Sequence, residues 1–299
     1  MQSSENWSYR IFNNGDNSEY NAAMVTKIDK NGTIEKFINK IPENLDTSNL
    51  TSMSSFFQGC NNLEKIPNID TSNATNFQSC FNGCSKIKQI PQIDTSKSTT
   101  MYSCFNGCNN LENIPNIDTS NVTNFQSCFN ECAKLKQIPQ IDTSKGTNLG
   151  SLFKECRSIT TIPQIDTANA TSMNDLFYNC SNITDIPSLN ASKVISIYNM
   201  LSGCEKLTNF NGLIEIGKAF TSKSNNYNNY TFNLRSCTNL THESLVNIIN
   251  NLYDLNLTYD TANGGTLYKQ AFQLGKNNLA KLTADEILIA TNKGWNVTE

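Results

Sequence analysis

Charge, histidine and long apolar runs are all scarce in this sequence. Charged residues fill 16% of the 299 positions, with 23 Lys and Arg against 26 Asp and Glu. That balance, with a pI near 5.4, excludes the cationic surface that nucleic-acid phosphates require. No stretch approaches the roughly 18 apolar residues of a membrane span. The opening MQSSENWSYRIFNNGDNSEY lacks the basic segment and apolar run of a secretory leader. The expectation is a chain with no encoded standard export route, whether cytosolic, a mature fragment or part of an assembly released by lysis. Walker, Rossmann and zincin spacings are missing too. Disorder is excluded because the net charge is only −3 and 15 Phe, 10 Tyr and 2 Trp are present, whereas disordered chains pair high net charge with few aromatics.

In place of charge stand Asn, Ser and Thr, with Asn alone at 47 positions, and 11 Cys. Seven of these, Cys60, Cys84, Cys108, Cys132, Cys156, Cys180 and Cys204, recur every 24 residues. Other columns keep the interval. Asp46, Asp70, Asp94, Asp118, Asp142 and Asp166 form one, closed by Asn190; Phe57, Phe81, Phe105, Phe129, Phe153 and Phe177 form another. All prolines but Pro42 fall in a third. The unit D-T-S-N-x-T-x-M-x-x-x-F-x-x-C-x-x-L-x-x-I-P-x-I thus runs seven times from residue 46 to about 213. Residues 70–93 and 118–141 match at 20 of 24 positions, better than neighbouring units do, which indicates duplication of a 48-residue pair.

A unit this short cannot bury its own apolar face, so the units must stack. Met53, Phe57 and Cys60 stand at i, i+4 and i+7, the spacing of one helical face. The Asp-Thr-Ser-Asn before them is turn and cap chemistry, and L-x-x-I-P-x-I fits a short strand ending at its proline. The expectation is one short strand and one short helical or 3₁₀ turn per unit. Residues 1–45 are expected to form an N-terminal cap or attachment segment, holding Trp7, Tyr9, Ile11, Phe12 and the run Thr33 to Ile38. Residues 214–299 are expected to form a loop, Asn-rich over Lys223 to Tyr230, and a repeat-like α/β cap in which Cys237 to Leu240 resumes the Cys-x-x-Leu spacing.

The motif F-x-x-C-x-x-L-x-x-I-P, as in Phe81, Cys84, Ile87, Ile90 and Pro91, and the D-T-S-N-V-T of Asp118 to Thr123 resemble the BspA-like branch of the leucine-rich repeats. A related repeat is abundant in mycoplasma-type surface lipoproteins. The resemblance implies an α/β leucine-rich-repeat solenoid capped at both ends. It further implies a binding role on bacterial, protist or phage surfaces toward proteins or glycans, and no catalytic residues. Leu63, Ile66 and Ile69 are spaced by three, a departure from the general L-x-x-L-x-L signature.

Each column has competing readings. The cysteines could form disulfides or a metal ladder, yet ligands repeating every 24 residues lie one above another rather than converging, and small buried thiols behave as compact hydrophobes. Packing is the preferred reading. The aspartates could hold a calcium ladder, but an Asp that caps its own turn needs no metal. His242 lies beside Thr241 and Glu243 at a helix start and reads as a surface or capping residue. No catalytic residue, cofactor or metal is assigned.

The candidate ligand face comprises the variable polar positions beside the expected strand: Lys65 and Asn68, Gln89 and Gln92, Asn113 and Asn116, Gln137 and Gln140, Thr161 and Gln164. Such an amide-rich surface can hydrogen-bond sugars or protein edges, and equally solubilises a stack. Lys97, Lys145 and Lys193 replace the turn Asn in alternate units, as a basic stripe or as a trace of the duplication. The functional expectation is a non-enzymatic recognition or assembly module, part of a phage particle or similar assembly that binds protein or glycan, other virion proteins included. The alternative is a bacterial cell-surface adhesin-like protein that binds a host protein or glycan. An Asn-rich composition, expected of an AT-rich genome, and the lack of a leader favour the first.

Overall fold

The structure, a computed structural model, describes residues 8–10, 26–28, 34–35, 47–219, 231–257 and 270–299. The Asn-rich stretch at 223–230, Asp46, and Trp7, Ile11 and Phe12 lie outside the described residues.

Residues 47–213 stack in units whose equivalent atoms are 24 residues apart, and one backbone pattern builds every seam. In Met53 to Gly59 the amides of residues 53, 55, 57 and 59 donate to the carbonyls of residues 76, 78, 80 and 82 in the next unit. The same four bonds, 2.7–3.2 Å long, recur at each of six seams up to Asn179 and Ser202. Between them the amides of residues 56, 58 and 60 turn back to the carbonyls of residues 53, 55 and 57. Amides therefore alternate between closing a local turn and joining the next unit. An α-helix would commit every interior amide to its own chain and leave none for the seam.

The expected helical or 3₁₀ turn is accordingly a run of linked β-turns that keeps the i→i+3 bonds of a 3₁₀ turn without continuing as a helix, and the residue types show why. The backbone takes positive φ at Ser55, Ser79, Ser103, Ser127, Ser151, Asp175 and Asn199, with values of 52–57°. It does so again four residues on at Gly59, Gly83, Gly107 and Gly203. Small polar residues and glycine tolerate that left-handed conformation, and its return every fourth residue stops helix propagation. The apolar face survives, because residues 53, 57 and 60 of a turn run share a side much as they would in a helix.

Parallel pairing also runs through the segment before these turns, in bridges from Ser52 to Asn76 and onward to Ser196. On the I-P-x-I side it is sparser. There the described pairing is Gln89 with Asn113, Thr161 with Asp185, and two short pairs: β4 (Asp185–Ile186) with β6 (Asn209–Phe210), and β5 (Leu189–Asn190) with β7 (Leu213–Ile214). The densest hydrogen bonding thus lies opposite the segment expected to be the strand.

One apolar column after another fills the interior. Phe57, Phe81, Phe105, Phe129, Phe153 and Phe177 stack face to face, with centroids 5.4–5.9 Å apart and planes within 11°. Beside them all eleven cysteines are free thiols, ten of them buried and Cys60 half-buried.

At the N-terminal end β1 (Ser8–Arg10), β2 (Thr26–Ile28) and β3 (Ile34–Glu35) form an antiparallel sheet. At the other end the register resumes after an insertion. Thr241 N–H donates to the Thr208 carbonyl at 3.0 Å, and Cys237 Sγ faces the Leu201 carbonyl as the earlier cysteines face phenylalanines. A parallel sheet of β8 (Phe232–Asn233), β9 (Gln270–Gln273) and β10 (Trp295–Thr298) follows, with α2 (Lys276–Leu279) after β9. The longer helices α1 (His242–Asn251) and α3 (Ala284–Asn292) start at Thr241 and Thr283, whose side chains cap them, α3 with a reciprocal bond from Glu286. No helix among the described residues is long and apolar enough to cross a membrane.

Candidate functional site

Polar side chains tie each unit to the next, which decides what they can offer a ligand. The cysteine thiols do more than fill space. Cys84, Cys108, Cys132, Cys156, Cys180 and Cys204 each point Sγ at the carbonyl of the phenylalanine 27 positions earlier, at 3.0–3.2 Å. Burial pushes the thiols of Cys80, Cys104, Cys108, Cys128, Cys132, Cys156, Cys180 and Cys204 well above the ordinary range, and Cys237 up to about 12. Cys60 is the exception, held below its usual value by the adjacent Cys84 thiol.

Asp70, Asp94, Asp118, Asp142 and Asp166 accept the amide of the residue two positions on, each at 2.9 Å, and Asn190 does the same. Bonds from the Ser96 amide and hydroxyl hold the Asp94 carboxyl below the usual range, and Ser120 and Ser144 do so for Asp118 and Asp142. Among the described residues no three His, Cys, Asp or Glu side chains gather to hold a metal ion. The threonine after each Asp is a staple that the sequence did not disclose. Buried Thr47, Thr71, Thr95, Thr119, Thr143 and Thr167 donate to the backbone carbonyl of the next unit's Asp or Asn at 2.6–2.9 Å.

The alternating lysines are bound rather than free. Lys97, Lys145 and Lys193 donate to the side-chain oxygens of Asn73, Asn121 and Asn169 at 2.6–3.1 Å. Those asparagines in turn donate to the carbonyls of Ser48, Ser96 and Ser144. His242 Nε2 lies 2.9 Å from Glu286 Oε1, joining the starts of α1 and α3 at the surface.

All ten residues of the expected ligand face are exposed. They stand in two columns, Lys65, Gln89, Asn113, Gln137 and Thr161 in one and Asn68, Gln92, Asn116, Gln140 and Gln164 in the other. Only Gln140 and Gln164 of the ten line a groove on the described surface. It has a volume of about 480 Å³, with Ile141, Asp142, Thr143, Ile165, Asp166, Thr167, Ser188, Asn190 and Ile214 as its other walls. The groove therefore sits toward the last units and includes Asn190, which closes the aspartate column, together with Ser188 and Ile214, which were not singled out from the sequence. A second hollow of about 350 Å³ lies at Asn109, Glu131, Ala133, Glu155 and Arg157.

Comparison with protein families gives two overlapping matches to one family profile, over residues 8–137 and 99–215. The chain belongs to the family described as Mycoplasma protein of unknown function, DUF285. The two DUF285 matches span the stacked units and the short N-terminal sheet, and end before β8. Among curated proteins nothing matches the chain.

Proposed function

We propose that this DUF285 chain is a leucine-rich-repeat solenoid serving as a non-enzymatic recognition or assembly module, a component of a phage particle or similar assembly that engages protein or glycan. The observation that carries the reading is the exposed double column from Lys65 to Gln164 leading into the groove at Gln140 and Gln164. A rigid stack with short inter-unit bonds keeps such a surface preorganised, so binding costs little ordering entropy. The residues that vary from unit to unit along it are side chains that hydrogen-bond without carrying net charge, apart from Lys65.

The test is location. Purified particles from producing cells, analysed by mass spectrometry, should contain the chain in stoichiometric amount. Finding it absent from particles and protease-accessible on intact cells would replace the particle reading with the adhesin-like one. Finding it only inside cells, in neither place, would refute both.

A further inference from the structure

The groove has a bias that the composition of its walls conceals: it offers acceptors and few donors. Gln140 spends both amide hydrogens on the frame, donating to the Gln164 carbonyl at 3.0 Å and the Ile141 carbonyl at 3.5 Å. Gln164 does likewise toward Ser188 at 3.3 Å and Ile165 at 3.2 Å. Each glutamine therefore presents only its Oε1 to the groove. The hydroxyls of Thr143 and Thr167 are spent on the carbonyls of Asp166 and Asn190.

The two carboxylates differ. Asp142 is met by the amide and hydroxyl of Ser144 and, more weakly, by the charge of Lys145. Asp166 has Ala168 where the other units have serine, so it receives one amide and no hydroxyl. Its second oxygen is the acceptor left over. No lysine or arginine lines the groove. At the far end stand the Ser188 hydroxyl and the Asn190 amide nitrogen, and the exposed side chain of Ile214 supplies an apolar wall.

We infer that this groove binds an uncharged saccharide and rejects acidic ones. Sugar hydroxyls donate to the oxygens of Gln140, Gln164 and Asp166, and accept from Ser188 and Asn190, while a ring's C–H face lies against Ile214. A volume of about 480 Å³ falls in the range of small-molecule sites and accommodates a short oligosaccharide. An anionic glycan would meet the carboxylates of Asp142 and Asp166 and two amide oxygens, with no cation in the groove's own lining. A lone ammonium group would satisfy Asp166 and leave both glutamine oxygens unpaired. The inference rests on the recognition reading above and names its ligand class.

The experiment probes the full chain with a printed array of neutral oligosaccharides, sialylated and sulfated glycans, and a lysine-rich peptide, with calorimetry on the hits. Neutral glycans alone are expected to bind. Removing both acceptors in Gln140→Ala/Gln164→Ala should weaken that binding at least tenfold. Asn73→Ala, which loses a comparable seam bond to Ser48 away from the groove, should leave it unchanged and so separates recognition from loosening of the stack. Asp166→Asn keeps an acceptor for the Ala168 amide but removes the charge, and should raise the ratio of acidic to neutral glycan binding about tenfold. Binding only to acidic glycans, binding only to the peptide, or no binding at all would each overturn the inference. The last outcome leaves the particle experiment to decide the broader reading separately.

Discussion

Truncating Phe129 to alanine tests the stacked core most directly. Its ring is fully buried, with Phe105 5.5 Å below and Phe153 5.9 Å above, both nearly parallel. A buried Phe→Ala change costs about 3–5 kcal/mol from lost transfer energy and the cavity left behind, and each aromatic pair adds about 0.5–1.5 kcal/mol. Phe129→Ala, which loses both stacked pairs, should therefore destabilise the chain by about 4–8 kcal/mol, a large share of the roughly 5–15 kcal/mol available to a folded domain. Because each unit touches only its neighbours, the loss should be local to two seams. Urea unfolding followed by circular dichroism gives the total, and a double-mutant cycle isolates the pair. Phe105→Ala with Phe129→Ala should show coupling of about 0.5–1.5 kcal/mol. Phe57→Ala with Phe129→Ala, three units apart, should add within about 0.5 kcal/mol. A cost below about 2 kcal/mol, where buried aromatic truncation starts well above that, or equal coupling for near and distant pairs, would refute the continuous stack.

The remaining expectations concern thiols, strained turns and acid. In native protein a thiol reagent should modify Cys60 first, since it is half-buried with a lowered pKa, while the other ten react only on unfolding; rapid labelling of several would show that the column is open. Glu131 holds φ of 60° where four other units have glycine, so Glu131→Gly should raise stability by about 0.5–1 kcal/mol, the strain relieved less the entropic cost of glycine. Conversely Gly83→Ala should cost about 1 kcal/mol of left-handed strain, since a Cβ there meets nothing closer than 3.6 Å; the opposite signs in thermal melts would show that the turn geometry is wrong. The carboxyls of Asp94, Asp118 and Asp142 titrate below their unfolded value near 3.9. Their contribution is therefore complete above that pH and lost as pH falls through the lower folded values. Tm should drop below about pH 4, and replacing the three with Asn should flatten the decline; an unchanged slope would assign acid sensitivity elsewhere.

The columns were legible because every unit meets the same neighbours, so burial imposes one residue type on each position: phenylalanine at 57 and its equivalents, cysteine at 60. The location of the ladder was not legible. Met53, Phe57 and Cys60 bury one face whether the chain coils as a helix or runs as linked β-turns, and only the positive φ at Ser55 and Gly59 separates the two. Serine is common in loops of every kind, so its recurrence carried no distinctive mark. The threonine staples escaped for a similar reason, since D-T-S-N reads as turn chemistry while Thr71 is in fact buried and tied to the next unit. Exposure of the ten face residues followed from their polarity and variation. The direction in which Gln140 and Gln164 point their amides follows from carbonyls contributed by the next unit, which no single unit's sequence displays.

The asparagine–lysine alternation sets how such a molecule can change length. Every seam uses the same four backbone bonds, so recombination between near-identical units would join any one to any other without disturbing the backbone. Side chains impose a stricter rule. Loss of residues 118–141 would bring Lys145 over Lys97 and remove Asn121, the oxygen that now receives Lys145. Two ammonium groups would then stand roughly one strand spacing of 4.8 Å apart, with no acceptor between them. Loss or gain of 48 residues restores lysine over asparagine. Copy number is thus free to drift in pairs, lengthening or shortening the array while the closing units that carry the groove remain untouched.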